Sequence, residues 1–203
     1  MKSFVTGVFF WCMIVTVLAC QAVAQEQSGE AEKAPIDPKT TTRVTLGSSS
    51  GTPGTSLVVP IYFTPAQDLL VGRLKLDVNF VSANLKFSKL DAGIAAELGN
   101  VEMSTEVQVG ENENGLETTT LSITASFPSG EPSEKGIPAG LLGYITLRIE
   151  EEGRPASITL RTSAEGSLLG SNEPLKDLRS FDATVDVLAP GTQPIVACFF
   201  FTH

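Results

Sequence analysis

Histidine is almost missing from this chain: of 203 residues, the single one is His203. That removes the usual general base of Ser/His/Asp and Cys/His sites from everything upstream. Cysteine is nearly as scarce. Cys12, Cys20 and Cys198 are the three present, so the long stretch between the last two has no disulfide framework and no CxxC zinc spacing. The one tryptophan, Trp11, lies in the N-terminal apolar run, which leaves Tyr62 and Tyr144 as the polar-tipped aromatic rings. Basic runs are absent too. With 14 Lys+Arg against 23 Asp+Glu and a formal net charge of −9, a nucleic-acid partner is excluded, because phosphate binding needs clustered cations. No phosphate-cradling glycine loop with lysine occurs. A converging carboxylate pair of the glycosidase kind is the catalytic arrangement the composition leaves open. The expectation is a non-enzyme that needs no cofactor and no metal.

What is present begins with an address. Lys2 supplies a positive start, Phe4 to Ala19 is almost wholly apolar, and Ala22-Val23-Ala24 has the small-x-small pattern of a signal-peptidase site. The run falls short of the ~20 residues that span a bilayer. Residues 1–24 are therefore expected to be a signal sequence, and the protein to be secreted or held in the cell envelope. A second reading uses the same residues: Val17-Leu18-Ala19-Cys20 resembles a bacterial lipobox, which would make Cys20 a lipidated first residue and the only membrane attachment. Residues 25–42 are polar, contain Pro35 and Pro38, and lack apolar periodicity, as expected of a disordered linker.

From residue 43 the period changes to two. Arg73-Leu74-Lys75-Leu76-Asp77-Val78-Asn79-Phe80 alternates at every position, which turns Leu74, Leu76, Val78 and Phe80 inward. Thr120 to Phe127 repeats the pattern with an outer row of hydroxyls, and Tyr144 to Ile149 repeats it again. Weaker strands are predicted at 43–47, 56–63, 84–90, 101–109, 157–162 and 181–188, with a helical turn near Ala92 to Leu98. Clusters such as Ser48 to Gly54, Gly110 to Gly115 and Pro128 to Gly136 separate them. The count is nine strands in an all-β, two-sheet antiparallel sandwich spanning 43–188.

Several segments resemble the cohesin domain family. Val44-Thr45-Leu46-Gly47 followed by Gly51 to Pro60 is similar to that family's opening strand, G-x-x-G turn and V-P-V strand. Leu74 to Leu85 is similar to its alternating third strand and Y-D-P-x-x-L stretch, with Phe80 for the tyrosine and Val81 and Ser82 for the aspartate and proline. Gly140 to Ile149 resembles its G-x-L-x-x-I-x-F strand. The resemblance implies a nine-stranded jelly roll, related to cellulose-binding-type carbohydrate modules, that holds a dockerin-like or other protein partner. It also implies that strands three, five, six and eight share one sheet. The candidate partner face is then Arg73, Lys75, Asp77 and Asn79 on strand three with Glu102, Ser104, Glu106 and Gln108 on strand five. Arg73 and Lys75 stand where many cellulosomal cohesins carry asparagine and aspartate. For each of these residues an ordinary solvated sheet face is the plainer reading.

Two other functions stay open: a polysaccharide-binding module using Tyr62 and Tyr144, if both point outward, and a structural or adhesive envelope domain. Glu111 to Asn114 places oxygen ligands at alternate positions, yet Asn114-Gly115 reads more simply as a hairpin turn. Residues 189–203 form a linker and a tail whose run Ile195 to Phe201 has no evident role in the domain. Mass spectrometry of the exported protein is expected to find an N-terminus at Gln25 or a diacylglyceryl-modified Cys20. An intact Met1 in a soluble cytoplasmic product would contradict the expected localisation.

Overall fold

The computed structural model describes residues 37, 39–128, 134–171 and 173–192. The expected signal segment with Cys20, most of the expected linker, and the Ile195 to Phe201 run with Cys198 lie outside these residues. Among the described residues no helix is long and apolar enough to cross a membrane.

The elements are β1 (Thr42–Leu46), β2 (Ser49–Gly51), β3 (Ser56–Thr64), β4 (Val71–Val81), β5 (Leu85–Ala92), α1 (Ile94–Leu98), β6 (Glu102–Glu111), β7 (Glu117–Ser126), β8 (Gly140–Ile149), β9 (Ala156–Leu168), β10 (Leu178–Phe181) and β11 (Ala183–Val187). They form a five-stranded sheet, β10-β1-β3-β8-β5, and a six-stranded sheet, β2-β11-β9-β4-β7-β6. Period-two alternation puts one face of each sheet into a single core. Leu74, Leu76, Val78 and Phe80 of β4 and Leu121, Ile123 and Ala125 of β7 join Leu57, Val59, Ile61 and Phe63 of β3 and Leu142, Ile145, Leu147 and Ile149 of β8. The other face of each sheet is left to solvent.

Among the described residues the strand number is eleven where the sequence predicts nine, and both additions have a local cause. The single strand expected at 181–188 is two. Asp182 interrupts it, its Oδ1 accepting from Thr162 N–H (2.7 Å) and Thr162 Oγ1 (3.0 Å). Upstream of Asp182 the chain pairs with β1; downstream it pairs with β9 in the other sheet. Ser49–Gly51, within the expected turn Ser48 to Gly54, pairs as an edge strand with β11. The β1–β10 and β2–β11 pairings are both parallel, so the sheets are mixed where antiparallel ones were expected. The chain is already packed where β1 begins: Thr41 and Thr42 are buried, and Ala66 N–H donates to Thr42 Oγ1 at 3.1 Å.

Pro60 sits in the middle of β3, where a proline normally costs a ladder bond. Its carbonyl accepts from Gly47 N–H at 2.9 Å, so the side of Pro60 that lacks an N–H faces the point where β1 has ended. Gly47 is required there, because a Cβ would lie 2.6 Å from Pro60 Cγ.

An ion pair ties the two sheets at the end of the sandwich. Glu117 Oε1 on β7 lies 2.5 Å from Lys86 Nζ on β5 and accepts from Ser82 Oγ at 2.9 Å. Ser82 is buried and its N–H donates to the Glu117 carbonyl, so Ser82 anchors the β4–β5 turn. The Lys86 hydrogen bond, then the Ser82 hydrogen bond, hold the Glu117 carboxyl below its ordinary pKa. A carboxyl depressed in the fold adds stability above its unfolded pKa and loses it as pH falls through the folded value. The melting temperature of Glu117→Gln is therefore expected to lie below wild type at neutral pH, with the gap closing as pH drops through and below the usual carboxylate range. A pH-independent gap would show that the interaction is not ionic. In the core, Leu76→Ala is expected to cost about 2–5 kcal/mol in denaturant unfolding.

Candidate functional site

The outer face of β9-β4-β7-β6 is a grid whose columns are set by strand register. Across it run Ser167–Arg73–Ser126–Glu102, then Glu165–Lys75–Thr124–Ser104, then Ser163–Asp77–Ser122–Glu106, and last Arg161–Asn79–Thr120–Gln108. All of these residues are exposed or half-buried, and none is apolar. The expected face residues Arg73, Lys75, Asp77 and Asn79 thus share a surface with Glu102, Ser104, Glu106 and Gln108. They are not adjacent: the hydroxyl row of β7 stands between them, which puts β4 and β6 two strand spacings, or ~10 Å, apart. At that separation exposed charges on the two strands are largely screened from each other.

Sequence reasoning missed the fourth column, Arg161, Ser163, Glu165 and Ser167. It ended the eighth strand at 162, whereas β9 continues to Leu168. The inward residues of that extension are Ala164 and Gly166, too small to register as an apolar alternation.

Charge is unevenly spread on this face. The cations Arg73, Lys75 and Arg161 fall on β4 and β9, while β6 carries Glu102 and Glu106. Lys75 Nζ pairs with Asp77 Oδ2 at 3.1 Å, and Asn79 Nδ2 donates to Thr120 Oγ1 at 2.8 Å. Arg73 and Arg161 form no ion pair among the described residues. Asp77 Oδ1 is buried and accepts no hydrogen bond among the described residues, while its Oδ2 keeps the Lys75 pair at the surface. At one end of the grid Arg73, Lys75, Glu165 and Ser167, with Leu175 and Lys176 of the β9–β10 connection, line a recess of about 610 Å³. At the other end Asn79, Arg161, Thr118 and Asn112 border a second recess of about 460 Å³.

Tyr62 and Tyr144 lie on the outer face of the other sheet. Pro60 stands opposite Tyr144, and Leu141 opposite Tyr62. Tyr62 is exposed and Tyr144 half-buried. The Gly110 to Gly115 segment is a hairpin turn in which Asn112 Oδ1 accepts from the N–H groups of Asn114 (2.9 Å) and Leu116 (3.0 Å), with Gly115 at φ +70°. Gly47-Ser48-Ser49-Ser50-Gly51 has the letter pattern of a nucleophile elbow. Here, however, Ser49–Gly51 is edge strand β2, with no strand-to-helix turn and no histidine among the described residues.

Two sheets in this order, with a solvated face on β9-β4-β7-β6, make a cohesin-like fold, and solved structures bear this out. The third cohesin ScaC from Acetivibrio cellulolyticus, solved in complex with the ScaB dockerin, aligns at TM-score 0.55 and 18% identity, over 73% of this chain and 100% of that one. The seventh ScaB type I cohesin from Pseudobacteroides cellulosolvens aligns at TM-score 0.55 and 18% identity, over 79% and 99% of the two chains. A non-cellulosomal cohesin from the archaeon Archaeoglobus fulgidus aligns at TM-score 0.53 and 16% identity, over 74% and 94%. Likeness at these identities establishes the fold. No protein-family model and no curated protein sequence matches the chain.

Proposed function

We propose that this chain is an exported, non-catalytic binding module that docks a protein partner on the outer face of β9-β4-β7-β6. What supports this is the centre of that all-polar face, where the half-exposed Lys75–Asp77 pair stands beside the Arg73/Lys75/Lys176 recess. Such a site offers acceptance and donation side by side. A partner segment bearing a hydrogen-bond donor and a carboxylate would satisfy both. The cohesin-like fold supports the same reading, since a dockerin is bound to the Acetivibrio cohesin. The position of Arg73 and Lys75 gives the partner its chemistry: acidic where it meets β4. Export rests on the N-terminal segment, with cleavage after Ala24 or lipidation at Cys20 deciding between release and envelope attachment.

Polysaccharide binding is the second reading, carried by Tyr62 and Tyr144 on adjacent strands of the opposite face.

One comparison separates the two. The double variant Arg73→Glu, Lys75→Glu is expected to lose capture of the native protein partner. Each desolvated charge contact near the centre of an interface is worth about 2 kcal/mol, or roughly thirty-fold in affinity. Both side chains point away from the core, so the melting temperature is expected to hold. Tyr62→Ala, Tyr144→Ala is expected to leave capture intact. Retained capture by the first variant, or retention of the wild type on insoluble polysaccharide that the tyrosine variant abolishes, would move the site to the five-stranded sheet.

A further inference from the structure

Among the described residues the sandwich has four strand edges, and three are blunted. β10 has four residues and β2 three. β5 is broken by a bulge between Phe87 and Lys89 and carries Lys86 and Lys89. The fourth edge, β6, has none of these devices. It is ten residues long, contains no proline, lysine or arginine, and pairs with β7 in unbroken register from Glu102↔Ser126 to Glu111↔Glu117. Its inner row, Met103, Thr105, Val107 and Val109, is uncharged. Val107 is 46% exposed and Val109 67%. A long, flat, partly apolar edge is a template for another strand.

We infer that β6 pairs with β6 of a second copy of this chain, antiparallel and centred on Val107. The charges select this register. Centred on Val107, Glu106 faces Gln108, Glu102 faces Asn112, Glu111 faces Met103 and Thr105 faces Val109, so no glutamate opposes another. Centring on Glu106 sets that glutamate against itself, and a slip of one residue to either side of the Val107 register sets Glu102 against Glu111 or Glu113. Directly opposed like charges destabilise a strand pair. The Val107 register also places inner row beside inner row. Val107 then covers its own counterpart, Val109 packs over Thr105 of the other copy, and two six-stranded sheets continue as one. Both polar outer faces emerge on the same side, which would present two partner sites side by side. Strand pairing of this extent lies at the small end of specific interfaces, so the dimer forms with rising concentration.

Sedimentation velocity of the full chain over a concentration series tests this, with two variants. Wild type is expected to move toward twice its monomer mass. Val107→Lys, which sets lysine against lysine at an exposed position, is expected to stay monomeric with an unchanged melting temperature. Val107→Cys is expected to oxidise to a disulfide that joins the two introduced thiols and is identified by peptide mass. Directly opposed strand residues lie about 4.5–5.5 Å apart at Cα, within disulfide reach. A wild-type chain that remains monomeric throughout would overturn the inference. So would association that Val107→Lys leaves unchanged while cross-links run through Cys198, since the contact would then lie in the terminal segment.

Discussion

The arrangement depends on two sheets that must each bury one face against the other. The inward row of β4, Leu74, Leu76, Val78 and Phe80, is the centre of that requirement, because β4 is flanked on both sides by paired strands. A slip of one residue in its register would bring Arg73, Lys75, Asp77 and Asn79 into the core and send the apolar row to water. Core packing therefore fixes the outward aim of the polar row. The surface proposed to meet a partner is the other side of the same alternation that stabilises the fold.

Where both rows of a strand are chemically distinct, the sequence is legible. β4, β7 and β8 carry large apolar residues against hydroxyls or charges, and their positions follow from the period alone. The short helix near residue 94 and the Asn112 to Leu116 turn follow from local composition. Legibility fails where the alternation is muted or where tertiary pairing decides. Ala164 and Gly166 hide the second half of β9. Ser49–Gly51 has no strand character of its own and exists because β11 lies beside it. Asp182 looks like one more outward polar residue, yet its acceptance from Thr162 is what turns the chain from one sheet to the other.

The candidate face shows the same division. That Arg73 to Asn79 and Glu102 to Gln108 share a surface was readable from alternation together with the family resemblance. Three properties were not readable. The hydroxyl band of β7 separates the two rows, β9 contributes Arg161 and Glu165, and Asp77 Oδ1 lacks a donor among the described residues. All three are consequences of strand order and side-chain placement, which period-two patterning does not encode. The same holds for the β6 edge: a strand is visible in the sequence, but its lack of a second neighbour among the described residues is a property of the sheet.

The most direct test of the central claim is chemical footprinting of carboxylates, using a carbodiimide-activated amine on the domain alone and on the domain bound to its captured native partner. Asp77, Glu165 and Glu106 lie on the six-stranded sheet's outer face, whereas Asp91 lies opposite Tyr144 on the other sheet. Bound partner is expected to protect Asp77 and Glu165, with Asp91 labelled as before. Unchanged labelling of Asp77 and Glu165 together with protection of Asp91 would contradict it.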